Sequence, residues 1–273
     1  MADLAGKHIV VTGASAGIGA ELCRQLGARS CRVTLAARRE DRLEEVAAQT
    51  REAGGETEVI RCDVTSRDQI FALAAASRER FGEIDVWVSN AGSGMRHRAL
   101  EATEDEMLSL YRINCLSSLW GYQAAVPAWL EAGRRGQVID VSSVGGKAGF
   151  PLAAGYSAAK HALSGLGDVL RQELRSREIV ITTVYPGVTV SDFSQSAASR
   201  ISDEARAATE DRWRRAPWFV RKVVSAQPTE HVARAIVRAI ETRATHVYPH
   251  RWAALAALAY NLAPRLVLRQ MAH

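Results

Sequence analysis

Short apolar runs alternate along the chain with longer stretches whose apolar residues recur every three or four positions, the patterns of buried strands and of helices with one buried face. The first run, Lys7-His8-Ile9-Val10-Val11, leads through a glycine-rich turn into a helix carrying Glu21, Leu22, Cys23 and Leu26. Arg32 to Ala37 is the second predicted strand, followed by a helix from Glu40 to Ala53 that Gly54-Gly55 ends. A third strand over Glu58 to Arg61 precedes a helix from about Ser66 to Phe81, with Gly82 as its stop, and Ile84 to Ser89 is the fourth. Thr103-x-x-Glu106 has the spacing of a capping box and opens a helix predicted to run to Leu130. Gln137 to Val141, a helix from Leu152 to about Arg175, and Ile179 to Val184 complete the series. Strict alternation of strand and helix predicts an α/β fold, a single doubly wound parallel sheet flanked by helices on both faces.

Composition changes this picture little. At 273 residues, 47% hydrophobic and 24% charged, the chain is long enough for one well-buried domain. Residues 1–250 read as that domain and 251–273 as a C-terminal helical extension, with no internal repeat or low-complexity linker. The net charge of +5 comes from scattered arginines without a block of like charges, so no nucleic-acid partner is expected. Cys23, Cys31, Cys62 and Cys115 show no C-x-x-C pairing and read as small buried thiols in a reducing compartment. With no basic region followed by an apolar run at the start and no spanning apolar stretch, a soluble, cytoplasmic protein is expected. No metal site is expected.

Two constellations carry chemistry. In Thr12-Gly13-Ala14-Ser15-Ala16-Gly17-Ile18-Gly19, a strand runs through a glycine-rich turn into a helix. Glycines allow a tight turn and close backbone approach, and the helix N-terminus offers free N–H groups to a pyrophosphate. Tyr156 and Lys160 stand four apart in a predicted helix, which puts both on one face. An ammonium one turn from a phenol stabilises its phenolate and allows it to exchange a proton with a substrate oxygen near neutral pH.

Both constellations resemble the short-chain dehydrogenase/reductase family, and further motifs follow in that family's order over most of the chain. Asp63-Val64 follows the third strand, Asn90-Ala91-Gly92 ends the fourth, Asn114 lies in the next long helix, Ser143 precedes Tyr156 at the usual interval, and Pro186-Gly187 ends the sixth strand. The resemblance implies a Rossmann-type fold and an oxidoreductase in which Asn114, Ser143, Tyr156 and Lys160 form the catalytic set. Ser143, with Ser142 as its rival, would orient the substrate oxygen. Lys160 would also contact the nicotinamide ribose, and Asn114 would hold a relay water. Gly13, Ser15, Ala16, Gly17, Ile18, Gly19, Asp63, Val64, Asn90, Ala91, Gly92, Tyr156, Lys160, Pro186 and Gly187 would contact cofactor. Either Thr189 or Ser191 would bind the nicotinamide carboxamide, with Ser191 at the matching interval. A homodimer or homotetramer is also implied, pairing the Asn114 and Tyr156 helices with their copies.

Cofactor choice rests on Ala36-Ala37-Arg38-Arg39, which has no acid until Glu40. A carboxylate there would hold ribose hydroxyls and repel a 2′-phosphate, whereas guanidinium groups match a phosphate. NADP(H) is therefore expected, with Arg38 ahead of Arg39 and Ser15 as a second contact. The predicted reaction is NADP(H)-dependent interconversion of a carbonyl and an alcohol, run as a ketone or aldehyde reductase. A 3-oxoacyl thioester reductase, a steroid or retinoid dehydrogenase, and an NADP(H)-binding sensor or scaffold are the other readings. The intact Asn, Ser, Tyr, Lys set speaks against the last.

Residues 188–227 carry Phe193, Trp213, Trp218 and Phe219; they would either cover an apolar substrate, as the resemblance implies, or form a surface helical pair. In the tail, Trp252, Leu255, Leu258, Ala259 and Leu262 make a helical stripe flanked by Arg251, Arg265 and Arg269. Packing on the same or a partner subunit is ranked ahead of a peripheral membrane contact.

Overall fold

The computed structural model describes residues 3–96, 98–189, 211 and 226–265. Among these, seven parallel strands form one sheet in the order β3-β2-β1-β4-β5-β6-β7. The strands are β1 His8–Thr12, β2 Arg32–Ala37, β3 Glu56–Arg61, β4 Val86–Ser89, β5 Gly136–Val141, β6 Ile179–Val184 and β7 His246–Val247. Helices α1 Gly17–Gly27, α2 Glu40–Glu52 and α3 Arg67–Phe81 follow the first three strands. Then come α4 Glu104–Tyr111, α5 Ser117–Glu131, α6 Ala154–Glu173, α7 Thr229–Thr242 and α8 Arg251–Leu262.

Alternation along each strand builds two cores. Ile9 and Val11 join Leu22, Leu26, Leu43, Val46, Ile236 and Ile240 on the face covered by α1, α2 and α7. Val10 between them points the other way, toward Ile70, Leu73, Ala125, Trp129 and Ile181 under α3 and α5. This is the doubly wound, Rossmann-type parallel sheet expected from the alternation, with helices on both faces. Because every strand runs the same way, the segments after β1, β4, β5 and β6 all emerge at one edge, where such sheets bind ligands.

The differences from the sequence reading have local causes. The helix predicted from Thr103 to Leu130 is interrupted by a π-helical turn over Arg112–Leu116, which separates α4 from α5. Its start is as predicted: Thr103 Oγ1 accepts from the Glu106 N–H at 3.3 Å and Glu106 Oε2 from the Thr103 N–H at 3.0 Å. Helix α6 begins at Ala154 rather than Leu152, because Leu152 takes the left-handed conformation with φ 63°. Strand β3 starts two residues early, at Glu56, paired with Arg32. Helix α7 and the two-residue β7, which completes the sheet beside β6, were not anticipated.

The tail is helical, but its predicted stripe does not pack on the body of the chain. Ala253 and Ala257 form the buried face of α8, whereas Leu255, Leu258, Ala259 and Leu262 are exposed and Trp252 is partly buried. Small residues let this helix approach closely, which turns the larger ones outward. Among the described residues no helix is long and apolar enough to cross a membrane.

Gly136 opens β5 directly against the buried ring of Trp129, whose Nε1 donates to the Ile84 carbonyl at 2.7 Å. A Cβ at this position would overlap the indole. Gly136→Ala is expected to destabilise the fold by about 1–3 kcal/mol, read as a lower midpoint in chemical denaturation. An unchanged midpoint would show that the Trp129 site can relax.

Candidate active site

The glycine-rich turn is built from glycines that need to be glycines. Gly13 and Gly17 have φ of 66° and 58°, and a Cβ on Gly13 would lie 2.8 Å from Ala91 Cα. A Cβ on Gly19 would overlap the Gly13 carbonyl and sit 2.5 Å from Asn90 Nδ2. Asn90 holds the turn to the end of β4: its Nδ2 donates to the Thr12 carbonyl at 2.9 Å and the Gly13 carbonyl at 3.2 Å. The Asn90 and Ala91 N–H groups donate to Thr12 Oγ1, which donates to the Val88 carbonyl. Helix α1 then starts at Gly17 with no side-chain cap at Ala16 and no acid in its first turn, so its own N-terminal turn offers no anion to its N–H groups and dipole. Ser15, Ala16 and Ile18 lie along this turn.

At the end of β2, Arg39 Nη2 donates to Ser15 Oγ at 3.2 Å. The Arg38 charge acts instead on Asp63. Of the two arginines, it is thus Arg39 that stands beside Ser15. Burial alone would raise the Asp63 carboxyl, but hydrogen bonds from Thr65 at 3.0 and 2.8 Å, with Arg38 and Arg61, hold it below the usual range. Val64 beside it is buried.

Beyond β4, Gly92 brings the chain against Asn114 and Lys160: a Cβ there would lie 2.8 Å from Asn114 Oδ1 and 3.6 Å from Lys160 Nζ. Asn114 sits inside the π-helical turn, a local irregularity that re-aims side chains. Its Nδ2 donates to the Ser93 carbonyl at 2.9 Å and the Leu110 carbonyl at 3.0 Å, and its Oδ1 accepts from the Ser93 N–H.

After β5, the two serines diverge. Ser142 Oγ is buried at 3.3 Å from the Lys160 carbonyl and 3.1 Å from Ser164 Oγ, turned toward α6. Ser143 is hydrogen-bonded to the Tyr156 hydroxyl and accepts from the Gly145 N–H at 3.0 Å. Gly145 makes room for the phenol, since a Cβ there would approach Tyr156 Cε1 to 3.3 Å. Pro186 and Gly187 follow β6, and the Pro186 carbonyl accepts from the Val144 N–H at 2.9 Å. Thr189 Oγ1 donates to the Gly187 carbonyl, and Thr189 bridges Gln227, a buried residue whose side-chain amide has no hydrogen-bond partner among the described residues. Ser191, Phe193, Trp213, Trp218, Phe219 and Arg269 lie outside the described residues.

Tyr156 and Lys160 share one face of α6, with Lys160 Nζ 5.8 Å from the phenol ring centroid. Their electrostatics differ from the simple expectation that the ammonium lowers the phenol. Burial raises Tyr156 above its ordinary range, and the group that lowers it is Ser143. Lys160, only 4% exposed, donates to the Val141 carbonyl at 2.8 Å, and burial brings it down to about 8. The glycine cradle, an uncapped helix N-terminus and paired arginines fit a dinucleotide phosphate chain; the hydroxyls of Ser143 and Tyr156 with the adjacent Lys160 fit proton exchange with an oxygen.

Known proteins resemble this chain in sequence and in fold. The chain is 33% identical over 196 residues to a 3beta-hydroxysteroid dehydrogenase of Mediterraneibacter gnavus, covering 71% of this chain and 70% of the relative. It is 29% identical over 247 residues to the ketoacyl reductase HetN of Nostoc sp., covering 90% and 79%. Among solved structures, an actinorhodin polyketide ketoreductase variant with NADPH superposes with a TM-score of 0.79 at 31% identity, over 91% of this chain and 97% of that one. A Burkholderia phymatum short-chain dehydrogenase/reductase in complex with NAD, at 23% identity and TM-score 0.85 over 97% and 96%, shares the fold. The profile of the family described as short chain dehydrogenase matches residues 7–202, a span that holds the glycine cradle, Ser143, Tyr156 and Lys160, and the protein belongs to this oxidoreductase family.

Proposed function

We propose that the protein is an NADP(H)-dependent oxidoreductase that interconverts a carbonyl and an alcohol, acting as a ketone or aldehyde reductase with Tyr156 as its general acid and base. The observation that carries this reading is the convergence of Ser143, Tyr156 and Lys160 beside the glycine cradle, at the edge where β1, β4 and β5 end. When bound, NADPH supplies a hydride to the carbonyl carbon. Ser143 orients the carbonyl oxygen, and Tyr156 gives that oxygen its proton. Lys160 stabilises the charge left on the phenol and holds the nicotinamide ribose hydroxyls. Asn114, its Oδ1 near Gly92 and Lys160, would hold the relay water through which the proton returns.

Gly13, Ala16, Gly17, Ile18 and Gly19 cradle the pyrophosphate, Asp63 and Val64 flank the adenine, and Asn90, Ala91 and Gly92 line the ribose side. Pro186, Gly187 and Thr189 would hold the carboxamide, with Ser191, outside the described residues, as the other candidate. Arg38, Arg39 and Ser15 select the 2′-phosphate. Relatives named ketoacyl reductase and the NADPH-bound polyketide ketoreductase support a ketone on an acyl or polyketide chain as the substrate class. The enzyme works in the cytoplasm as a homodimer or homotetramer, with residues 1–250 as one catalytic domain and 251–273 as its extension.

Charge-assisted contacts of arginine to an anion contribute about 1.5–3 kcal/mol, roughly ten- to a hundredfold. The parent is therefore expected to use NADPH at least about tenfold more efficiently than NADH, and the double variant Arg38→Ala, Arg39→Ala to lose most of that preference. Comparing kcat/KM for the two cofactors against a panel of ketones, aldehydes and an acetoacetyl thioester tests this. Equal efficiency with NADH in the parent would refute the cofactor assignment.

A further inference from the structure

Beneath the site, on the face of β5 that turns toward α5 and α6, lies an acid the proposed chemistry does not use. Asp140 is fully buried. Its Oδ2 accepts from the Tyr122 hydroxyl at 2.5 Å, while its Oδ1 has no hydrogen-bond partner. The next residue, Val141, offers the carbonyl that receives the Lys160 ammonium at 2.8 Å.

Every element packed around this carboxylate brings a group to it. Helix α5 contributes Tyr122, the π-helical turn Cys115, α6 Lys160 and Arg171, and β6 Thr183. Gly167 on α6 leaves the space: a Cβ there would lie 3.1 Å from Thr183 Oγ1 and 3.5 Å from Asp140 Oδ2. Arg171 is spoken for, since it donates to Asp168 at 2.5 Å, to Thr183 Oγ1 at 3.1 Å and to the Ile181 carbonyl. Among the described residues Lys160, by contrast, donates to a neutral carbonyl, and the acid and thiol that act on its charge are Asp140 and Cys115.

We propose that Asp140, anchored by Tyr122, is a positioning residue for Lys160, a buried counter-charge beneath the site that keeps the Lys160 ammonium charged. The inference rests on the reading of Lys160 as the cation of the active site. A buried carboxylate with one oxygen unpartnered is costly as a purely structural element, and an apolar residue of similar volume would fill the space more favourably. A counter-charge role explains why an acid stands at a buried position between Ile139 and Val141. Burial lifts the Asp140 carboxyl to about 7, against the Tyr122 hydroxyl and the charges of Lys160 and Arg171, which lower it. Above that range Asp140 is an anion and favours charged Lys160, and removing the anion leaves Cys115 to oppose burial without it, so Lys160 loses its proton at lower pH.

The chain has four lysines, Lys7, Lys147, Lys160 and Lys222, so the full-length protein labelled with 13Cε-lysine gives few signals, and Lys160→Arg identifies the one of interest. Its titration is followed by NMR in the parent, Asp140→Asn and Tyr122→Phe. In Asp140→Asn, which keeps the shape and an acceptor for Tyr122, the Lys160 midpoint is expected to move toward acid by about one pH unit. Tyr122→Phe, which removes the hydroxyl that favours the anion, moves it the same way by less. A merely structural pair would lower the melting temperature and leave the Lys160 midpoint in place. Coincident Lys160 titrations in parent and Asp140→Asn, or in parent and Tyr122→Phe should Asp140→Asn fail to fold, overturn the proposal. The reading of Lys160 itself fails separately, if Lys160→Ala keeps full turnover.

Discussion

Tyr156→Phe is expected to cut carbonyl reduction by about 10²–10⁴-fold while leaving NADPH binding nearly intact. The substitution removes one hydroxyl from a partly buried ring and touches none of the cradle formed by Gly13, Gly17 and Gly19. Burial keeps the phenol above its ordinary range, so at neutral pH it carries the proton that reduction needs. Ser143 does not replace it, because its hydroxyl is held between Tyr156 and the Gly145 N–H and an aliphatic alcohol is a far weaker acid than a phenol. Steady-state reduction, set beside NADPH affinity from fluorescence titration, checks both halves. Activity within about tenfold of the parent would remove Tyr156 from the mechanism, since general acid catalysis contributes more than that.

Lys160→Ala is expected to lower both turnover, by about 10²-fold or more, and NADPH affinity. The two losses have separate origins: the charge that stabilises a phenolate, and the donor that holds the ribose hydroxyls. The same residue sets the parent's pH dependence. Burial depresses Lys160 to about 8, so the ammonium is charged below that pH and neutral above it, and reduction falls as pH rises through this range. In the alanine variant that alkaline limb is absent. A variant that kept the parent's affinity and pH profile would show that Lys160 serves only to fill the space beside Gly92 and Val141.

Much of the scaffold was legible because it depends on periodicity. Val10 alternates with Ile9 and Val11, and that alone assigns β1 to a sheet buried on both faces. The cradle was legible because glycines at positive φ leave a mark that no other residue leaves. What stayed hidden depends on three-dimensional crowding. The π-helical turn at Arg112–Leu116 has no distinct periodicity in a continuous helical pattern, yet it is what carries Asn114. Strand β7 is two residues long, too short to alternate, and exists because β6 offers it an edge. The buried face of α8 was not legible, because hydrophobicity drew attention to the leucines, whereas within the chain close approach favours Ala253 and Ala257.

Electrostatics was the least legible level. Four-residue spacing places Tyr156 and Lys160 together, but only the structure gives the balance between burial, Ser143 and the Val141 carbonyl. Asp140 was visible as an acid within Gln137 to Val141, and its significance depends on Tyr122, which is distant in sequence and adjacent in space. Likewise Arg38 and Arg39 are equivalent as neighbours in sequence, and their partners, Asp63 and Ser15, distinguish them.

The central claim, hydride transfer from NADPH to a carbonyl carbon at the Tyr156 site, is tested most directly by isotope transfer. NADPH deuterated at C4 is prepared as its two epimers, and each is supplied to the parent and to Tyr156→Phe with the ketone and acyl-thioester panel. The alcohol product is read by mass spectrometry. One epimer is expected to deliver its deuterium to the carbinol carbon in the parent, the other to deliver none, and Tyr156→Phe to form little product with either. Alcohol formed without deuterium from either epimer, or labelled product made equally well by Tyr156→Phe, would contradict the account.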